Sequence, residues 1–188
     1  RTRARAIGAP AAHGVAGRPY AFCTFHRPSN VDRRETLGEI LAALDDLAGR
    51  MPVLFAIHPR TRQRIADFGL EAVARRVTLL DPLSYLDTIS LVDQATLVLT
   101  DSGGLQEETT VLGVPCITAR ENTERPITVS EGTNRVVGAS ADGVLLLPFA
   151  SPTAYGLGRS GWVTAQFTRK DRIPLDWIRS WIEESYRA

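Results

Sequence analysis

The chain has 188 residues, 44% of them hydrophobic and 23% charged, with a formal net charge of +1. That length suits one domain of ordinary size, and the near-neutral charge excludes a strong field drawing the protein to nucleic acid or a charged membrane surface. No apolar run approaches the roughly 20 residues a bilayer-spanning helix needs; the cytoplasmic setting expected here comes from the two cysteines, read as free thiols.

Residues 1–18 are rich in Arg, Ala and Gly and contain no apolar segment of the signal-peptide kind. They are expected to form a linker or frayed end, followed by a single domain over residues 19–188. The chain opens on Arg1 and its one methionine is Met51, so further sequence upstream is expected. An apolar, aromatic-rich run at residues 20–25 predicts a buried strand, broken by Pro28 and Asn30. Over residues 33–48, Leu37, Ile40, Leu41, Leu44 and Leu47 recur every three or four positions and predict an amphipathic helix. A second strand is expected at 53–57, ending at His58-Pro59, then a helix from about Thr61. Further strands are expected at 77–80, 96–100 and 115–118, with a sixth at 134–138 and helices at 85–92 and 103–112. In the last third, the run Val144-Leu145-Leu146-Leu147 is unusual, 154–161 is a Gly-rich loop, and 174–186 has one apolar helical face opening on Pro174. Cys23 and Cys116 lie in strand-like runs. They are read as buried free thiols rather than as a disulfide or metal pair, in keeping with a reducing compartment.

Short apolar runs alternating with helices predict a parallel sheet covered on both faces. Ligands of such sheets bind at the carboxyl ends of the strands. The residues at those ends are His26-Arg27, His58-Pro59-Arg60, Asp81-Pro82, Asp101-Ser102-Gly103-Gly104 and 120–125. The loop Asp101-Ser102-Gly103-Gly104 passes from a strand into a helix. Glycines admit close approach of a ligand, and the free N–H groups and dipole of the helix start favour an anion. Ser102 adds a hydroxyl, and Glu108, a turn or so further on, is placed to accept hydrogen bonds from both hydroxyls of a ribose. A plain strand-to-helix turn is the competing reading. Neither a P-loop nor a dinucleotide Gly-x-Gly-x-x-Gly pattern is present, which argues against an NTPase or a simple NAD enzyme. His26 and Arg27 are suited to phosphate oxygens, but His26 and His58 could each be a structural histidine. Arg125 is either a ligand contact or a loop pin paired with Glu121 or Glu124. Glu107 is either solvated or a loop anchor.

Several ordered segments resemble the carboxyl-terminal half of non-hydrolysing UDP-N-acetylglucosamine 2-epimerases. They are Thr24-Phe25-His26-Arg27-Pro28-Ser29-Asn30, His58-Pro59, Leu99-Thr100-Asp101-Ser102-Gly103-Gly104-Leu105-Gln106-Glu107-Glu108, Gly113-Val114-Pro115, Arg120-Glu121-Asn122-Thr123-Glu124-Arg125-Pro126 and Gly132-Thr133-Asn134. The resemblance covers about residues 20–138. It implies a Rossmann-like half of a two-domain GT-B-like fold with the active site in the cleft. It also implies interconversion of UDP-GlcNAc and UDP-ManNAc by UDP elimination and re-addition, without metal or cofactor, within cell-envelope polysaccharide biosynthesis. Carried over residue by residue, it implies that Ser102, Gly103 and Gly104 hold the UDP phosphates, that Glu108 binds ribose, and that His26, with Arg27 beside it, contacts phosphate in the catalytic step. Arg125 would line the substrate site, His58 the cleft, and Tyr85, or Leu86 next to it, the uracil. A homodimer and an amino-terminal domain carrying the main acid/base carboxylates are the implied partners. The chain departs from the family pattern at Ser29 and Ile127, where acids are usual, and at Tyr155-Gly156-Leu157-Gly158, which lacks its acid. A stand-alone non-catalytic nucleotide-sugar-binding protein, or the donor-binding subunit of a GT-B glycosyltransferase, therefore stand as alternatives.

Overall fold

A computed structural model describes residues 1–138 together with two short strand segments at 151–152 and 163–164. Backbone contacts group the chain into two units, Arg1–Gly143 and Val144–Ala188.

The first unit is built on a parallel sheet. Its strands are β1 (Ala21–Thr24), β2 (Val53–Ala56), β3 (Thr78–Leu80), β4 (Leu97–Thr100), β5 (Cys116–Thr118) and β6 (Asn134–Val136), ordered β3-β2-β1-β4-β5-β6. All five pairings are parallel. The order reverses between β1 and β4, and right-handed crossovers then carry helices to opposite faces of the sheet. This is the expected Rossmann-like architecture. β4 is buried along its whole length, which explains why it reads as a continuous apolar run rather than an alternating one.

Most helices fall where the periodicity puts them. α4 (Arg34–Ala48) buries Leu37, Leu41 and Leu44, α6 spans Tyr85–Val92 and α7 spans Gly103–Leu112. α5 (Pro59–Asp67) starts two residues before the expected Thr61, because Pro59 suits a first helical position and His58 caps it. Between β1 and α4, Pro28–Val31 form a short helix, α3, where only a break is expected. α8 (Ile127–Ser130) lies where the sequence predicts no element.

The amino terminus differs most from expectation. Residues 1–18 are not a frayed linker: they fold as α1 (Thr2–Ile7) and α2 (Ala9–Ala12), joined through Gly8 at φ 69°. Ala4, Ala9, Pro10 and Val15 are buried. Arg1 lies 2.6 Å from the carboxylate of Asp93, a fully buried side chain at the end of α6, and Arg5 pairs with the same group. Two of the segment's four arginines, Arg1 and Arg5, are thus partners of a buried acid.

Two glycines have a packing or conformational reason. Gly113 ends α7 in the left-handed region, at φ 73°. A Cβ on Gly132 would lie 2.4 Å from the Thr128 carbonyl and 2.5 Å from the Thr110 hydroxyl. Only glycine lets the chain enter β6 this close to α7 and α8.

In the second unit, β7 (Ser151–Pro152) pairs antiparallel with β8 (Val163–Thr164). The apolar run at 144–147, the Gly-rich loop at 154–161 with its Tyr155-Gly156-Leu157-Gly158 segment, and the helix expected at 174–186 lie outside the described residues.

Candidate functional site

The β1–β4 switch point gathers the polar residues. Thr24 pairs with Thr100 in the sheet register, so the segments leaving both strands run side by side. The Asp101 carboxylate is fully buried there. Its Oδ2 accepts from the backbone N–H of His26 (3.0 Å) and of Arg27 (2.8 Å), and from the Asn30 side-chain amide (3.0 Å). Its Oδ1 lies 3.1 Å from His26 Nδ1. The Arg27 Nε donates to the Asp101 carbonyl at 3.0 Å. Asp101 is therefore turned inward, away from the Ser102-Gly103-Gly104 turn it precedes in sequence, and acts as the strut joining two strand ends. The hydrogen bond from His26 to Asp101 holds the imidazole pKa above its ordinary value, outweighing burial, which lowers it. Burial pushes the Asp101 carboxyl up. Hydrogen bonds from the His26 side chain and the Arg27 backbone outweigh it and hold the group below the usual carboxylate range. With Nδ1 committed to Asp101, Nε2 is the ring atom left for other partners.

The start of α7 follows directly. Ser102 is its N-cap residue, yet no side chain caps the helix and no acid sits in its first turn. By contrast, Ser84 caps α6 with Asp87 behind it, and His58 caps α5. Gly103 and Gly104 are absent from the positive-φ glycines, and a Cβ on either would come no nearer than 3.9 Å to another group. The turn itself thus has no need of glycine. Two bare residues leave open space in front of unpaired N–H groups, which weighs against the plain-turn reading.

Glu108 lies about 7.5 Å further along the α7 axis than Gly103. Its carboxylate accepts a 2.6 Å hydrogen bond from the Tyr85 hydroxyl, raising the Tyr85 pKa. The Tyr85 side chain is largely exposed, as is its neighbour Leu86. Glu107 diverges from Glu108, as adjacent helical positions do: its carboxylate meets Arg125 Nε at 3.0 Å. Arg125 is thus paired, but with Glu107 and with neither Glu121 nor Glu124.

The segment after β5 closes over this region. Arg120 is buried and grips Glu124 through two contacts, 2.5 and 2.7 Å long. The Arg120 guanidinium holds the Glu124 carboxyl down at about 2. Glu124 also lies 3.5 Å from Arg27, which joins the segments after β1 and β5. On the far side, His58 Nδ1 accepts from the Arg60 backbone N–H at 3.2 Å, a capping role that fixes its tautomer. Its ring stands 5.9 Å from that of His26.

The structure thus brings His26, Arg27 and His58 together on one flank of the α7 start, with Ser102, Gly103 and Gly104 at its tip. Tyr85, Glu108 and Arg125 lie along or beside the helix. Arg120 and Gln106, to which the sequence alone gives no role, carry much of the geometry, and Asp101, expected in the ligand loop, serves as a buried strut instead. The Arg120–Glu124 spacing of four was a readable hint, whereas a polar residue bound for full burial, as Gln106 is, leaves no periodic trace. Both cysteines are buried and free, and burial pushes the Cys116 thiol up to about 11. Among the described residues there is no cluster of three or more metal-ligating side chains, and no helix is long and apolar enough to cross a membrane.

Fold and site geometry together define a Rossmann-like α/β unit of the kind that forms half of a GT-B-like protein. The family described as UDP-N-acetylglucosamine 2-epimerase matches residues 2–146, and the chain belongs to it. The chain is 42% identical over 124 residues to UDP-N-acetylglucosamine 2-epimerase of Methanocaldococcus jannaschii, covering 63% of this chain and 34% of the relative. It is 40% identical over 124 residues to UDP-2,3-diacetamido-2,3-dideoxy-D-glucuronate 2-epimerase of Pseudomonas aeruginosa, covering 65% of this chain and 34% of that one. The crystal structure of the M. jannaschii enzyme in complex with UDP-GlcNAc and UDP superposes with a TM-score of 0.66 at 37% identity, over 73% of this chain and 39% of that chain. The chain spans about a third of the length of these curated relatives.

Proposed function

We propose that this chain is the UDP-binding half of a UDP-N-acetylglucosamine 2-epimerase that interconverts UDP-GlcNAc and UDP-ManNAc. The observation carrying this reading is the uncapped start of α7, with two bare glycines, set between His26 on one side and the Glu108–Tyr85 pair further along. The diphosphate sits at the helix start, where Ser102 and the Gly103 and Gly104 N–H groups meet it. Glu108 takes the ribose hydroxyls, and Tyr85 borders the uracil. In the reaction the C2 proton is removed and UDP departs with the C1–O bond electrons, leaving a 2-acetamidoglucal. UDP then re-adds and C2 is reprotonated on the opposite face. His26, whose imidazole pKa is raised by its hydrogen bond to Asp101, stabilises the charge that grows on the departing diphosphate. The carboxylates that exchange the C2 proton come from an amino-terminal domain outside this chain. Arg125 lines the sugar side, and the assembly is a homodimer.

A second sugar is favoured by one specific finding. The relative named for UDP-2,3-diacetamido-2,3-dideoxy-D-glucuronate is 40% identical, close to the 42% of the UDP-GlcNAc relative. The UDP contacts are the same in both readings, so calorimetry with UDP, UDP-GlcNAc and NAD tests what they share. UDP and UDP-GlcNAc should bind and NAD should not. In Glu108→Ala, loss of a charged acceptor for two hydroxyls should weaken UDP by about 1.5–3 kcal/mol. Equal UDP affinity in parent and variant would refute the ribose assignment.

A further inference from the structure

We infer that Gln106 is a positioning residue that locks the segment after β5 to the phosphate loop, so that diphosphate recognition depends on a side chain that never touches the ligand. This rests on the proposed UDP site. Gln106 is fully buried in the second turn of α7. Its Nε2 donates to the Ser102 carbonyl at 3.3 Å, reaching back to the residue that heads the helix. Its Oε1 accepts from the Thr123 hydroxyl at 2.5 Å and from the Asn134 side-chain amide at 3.1 Å. One amide thus holds the phosphate loop, the segment bearing Arg120 and Glu124, and the first residue of β6.

The chemistry requires an amide. Both faces of the group are used: a donor toward a carbonyl, and an acceptor shared by a hydroxyl and a second amide. A carboxylate cannot donate to the Ser102 carbonyl, and an apolar side chain leaves buried Asn134 short of a partner. Thr123 is the arm that reaches the site. Its hydroxyl also accepts from the Arg125 backbone N–H at 3.0 Å, so the bond to Gln106 fixes where Arg125 leaves the segment. Glu124, next in sequence, passes 3.9 Å from the place of a Gly103 Cβ. A shift of this segment therefore changes the space in front of the helix start, whereas the Glu108–Tyr85 hydrogen bond is made between α7 and α6.

The test compares UDP with uridine, which lacks the diphosphate, by NMR titration of the parent chain, Gln106→Glu and Thr123→Val. Thr123→Val removes one arm of the junction without touching the buried centre, so it remains informative if Gln106→Glu fails to fold. Positioning predicts that Thr123→Val weakens UDP about tenfold while uridine affinity is unchanged. It also predicts that the ligand-free Gly103 and Gly104 amide resonances move. A merely structural role would weaken both ligands alike, and that result, or equal UDP affinity with unmoved glycine amides, overturns the inference. If the parent itself fails to bind UDP, the proposed function falls, while the glycine amides still decide whether the junction couples the two segments.

Discussion

Asp101 meets His26 through both its ring and its backbone, and that double contact sets the expected pH behaviour. The His26 pKa is raised by its bond to Asp101. The protonated ring, which favours a diphosphate, therefore persists to higher pH than in a free imidazole. UDP affinity should be greatest below the folded His26 pKa and fall as pH rises through it. The same sign holds for stability: the contribution of the His26–Asp101 bond is complete below the unfolded imidazole pKa and is lost as pH rises through the folded value. Asp101 has the opposite sign, its contribution being lost as pH falls through a depressed carboxyl pKa. In Asp101→Asn the His26 pKa should drop, carrying the midpoint of the UDP pH profile down with it, as read from the imidazole proton resonances. An unmoved midpoint would detach His26 from Asp101. Asp101→Ala leaves the His26 and Arg27 N–H groups and Asn30 without their acceptor, and should cost roughly 3–5 kcal/mol in a denaturant titration.

At the scale of elements, the glycine that starts α7 and the one two residues before β6 should separate ligand from packing. Gly103→Ala meets no group closer than 3.9 Å and replaces glycine with a better helix former. Thermal stability should hold or rise slightly, by up to about 1 kcal/mol. UDP affinity should fall because the new methyl stands in front of the helix start. Gly132→Ala should do the reverse in kind. Its Cβ meets the Thr128 carbonyl at 2.4 Å, so the variant should lose about 1–3 kcal/mol of stability through displaced backbone. If Gly103→Ala lowered stability and left UDP binding intact, α7 would begin in a plain turn. The elements themselves were readable to different degrees. α6 and α7 stand at the residues where the sequence reads helices. α8 has only four residues and buries Thr128 rather than an apolar face, so no period marks it. α1 and α2 leave no such mark: Arg1 and Arg5 meet Asp93, more than 80 positions away, and Ala9 packs in the core with Leu91 and Val92. A sequence pattern carries no sign of which distant acid an arginine will meet.

At the scale of the molecule, the sheet order and the rim were the most legible features. Strand-helix alternation fixes a parallel sheet, and a parallel sheet fixes where polar residues gather. His26, Arg27, Ser102, Gly103, Gly104 and Glu108 could therefore be picked out before any coordinates. What could not be read is how they are held. The inward turn of Asp101 and the Gln106 junction both join segments distant in sequence. Each involves a polar residue whose burial depends on three-dimensional closure. The chain belongs to the UDP-N-acetylglucosamine 2-epimerase family and spans about a third of the length of its curated relatives; under the proposed function it supplies the leaving-group site. The most direct test is an amide NMR titration of the parent chain with UDP. The account predicts the largest shifts at Ser102, Gly103, Gly104 and Leu105, with companion changes at His26, Tyr85 and Glu108, and none on adding NAD. Saturable UDP binding that leaves the α7 start unmoved, or no UDP binding at all, would contradict it.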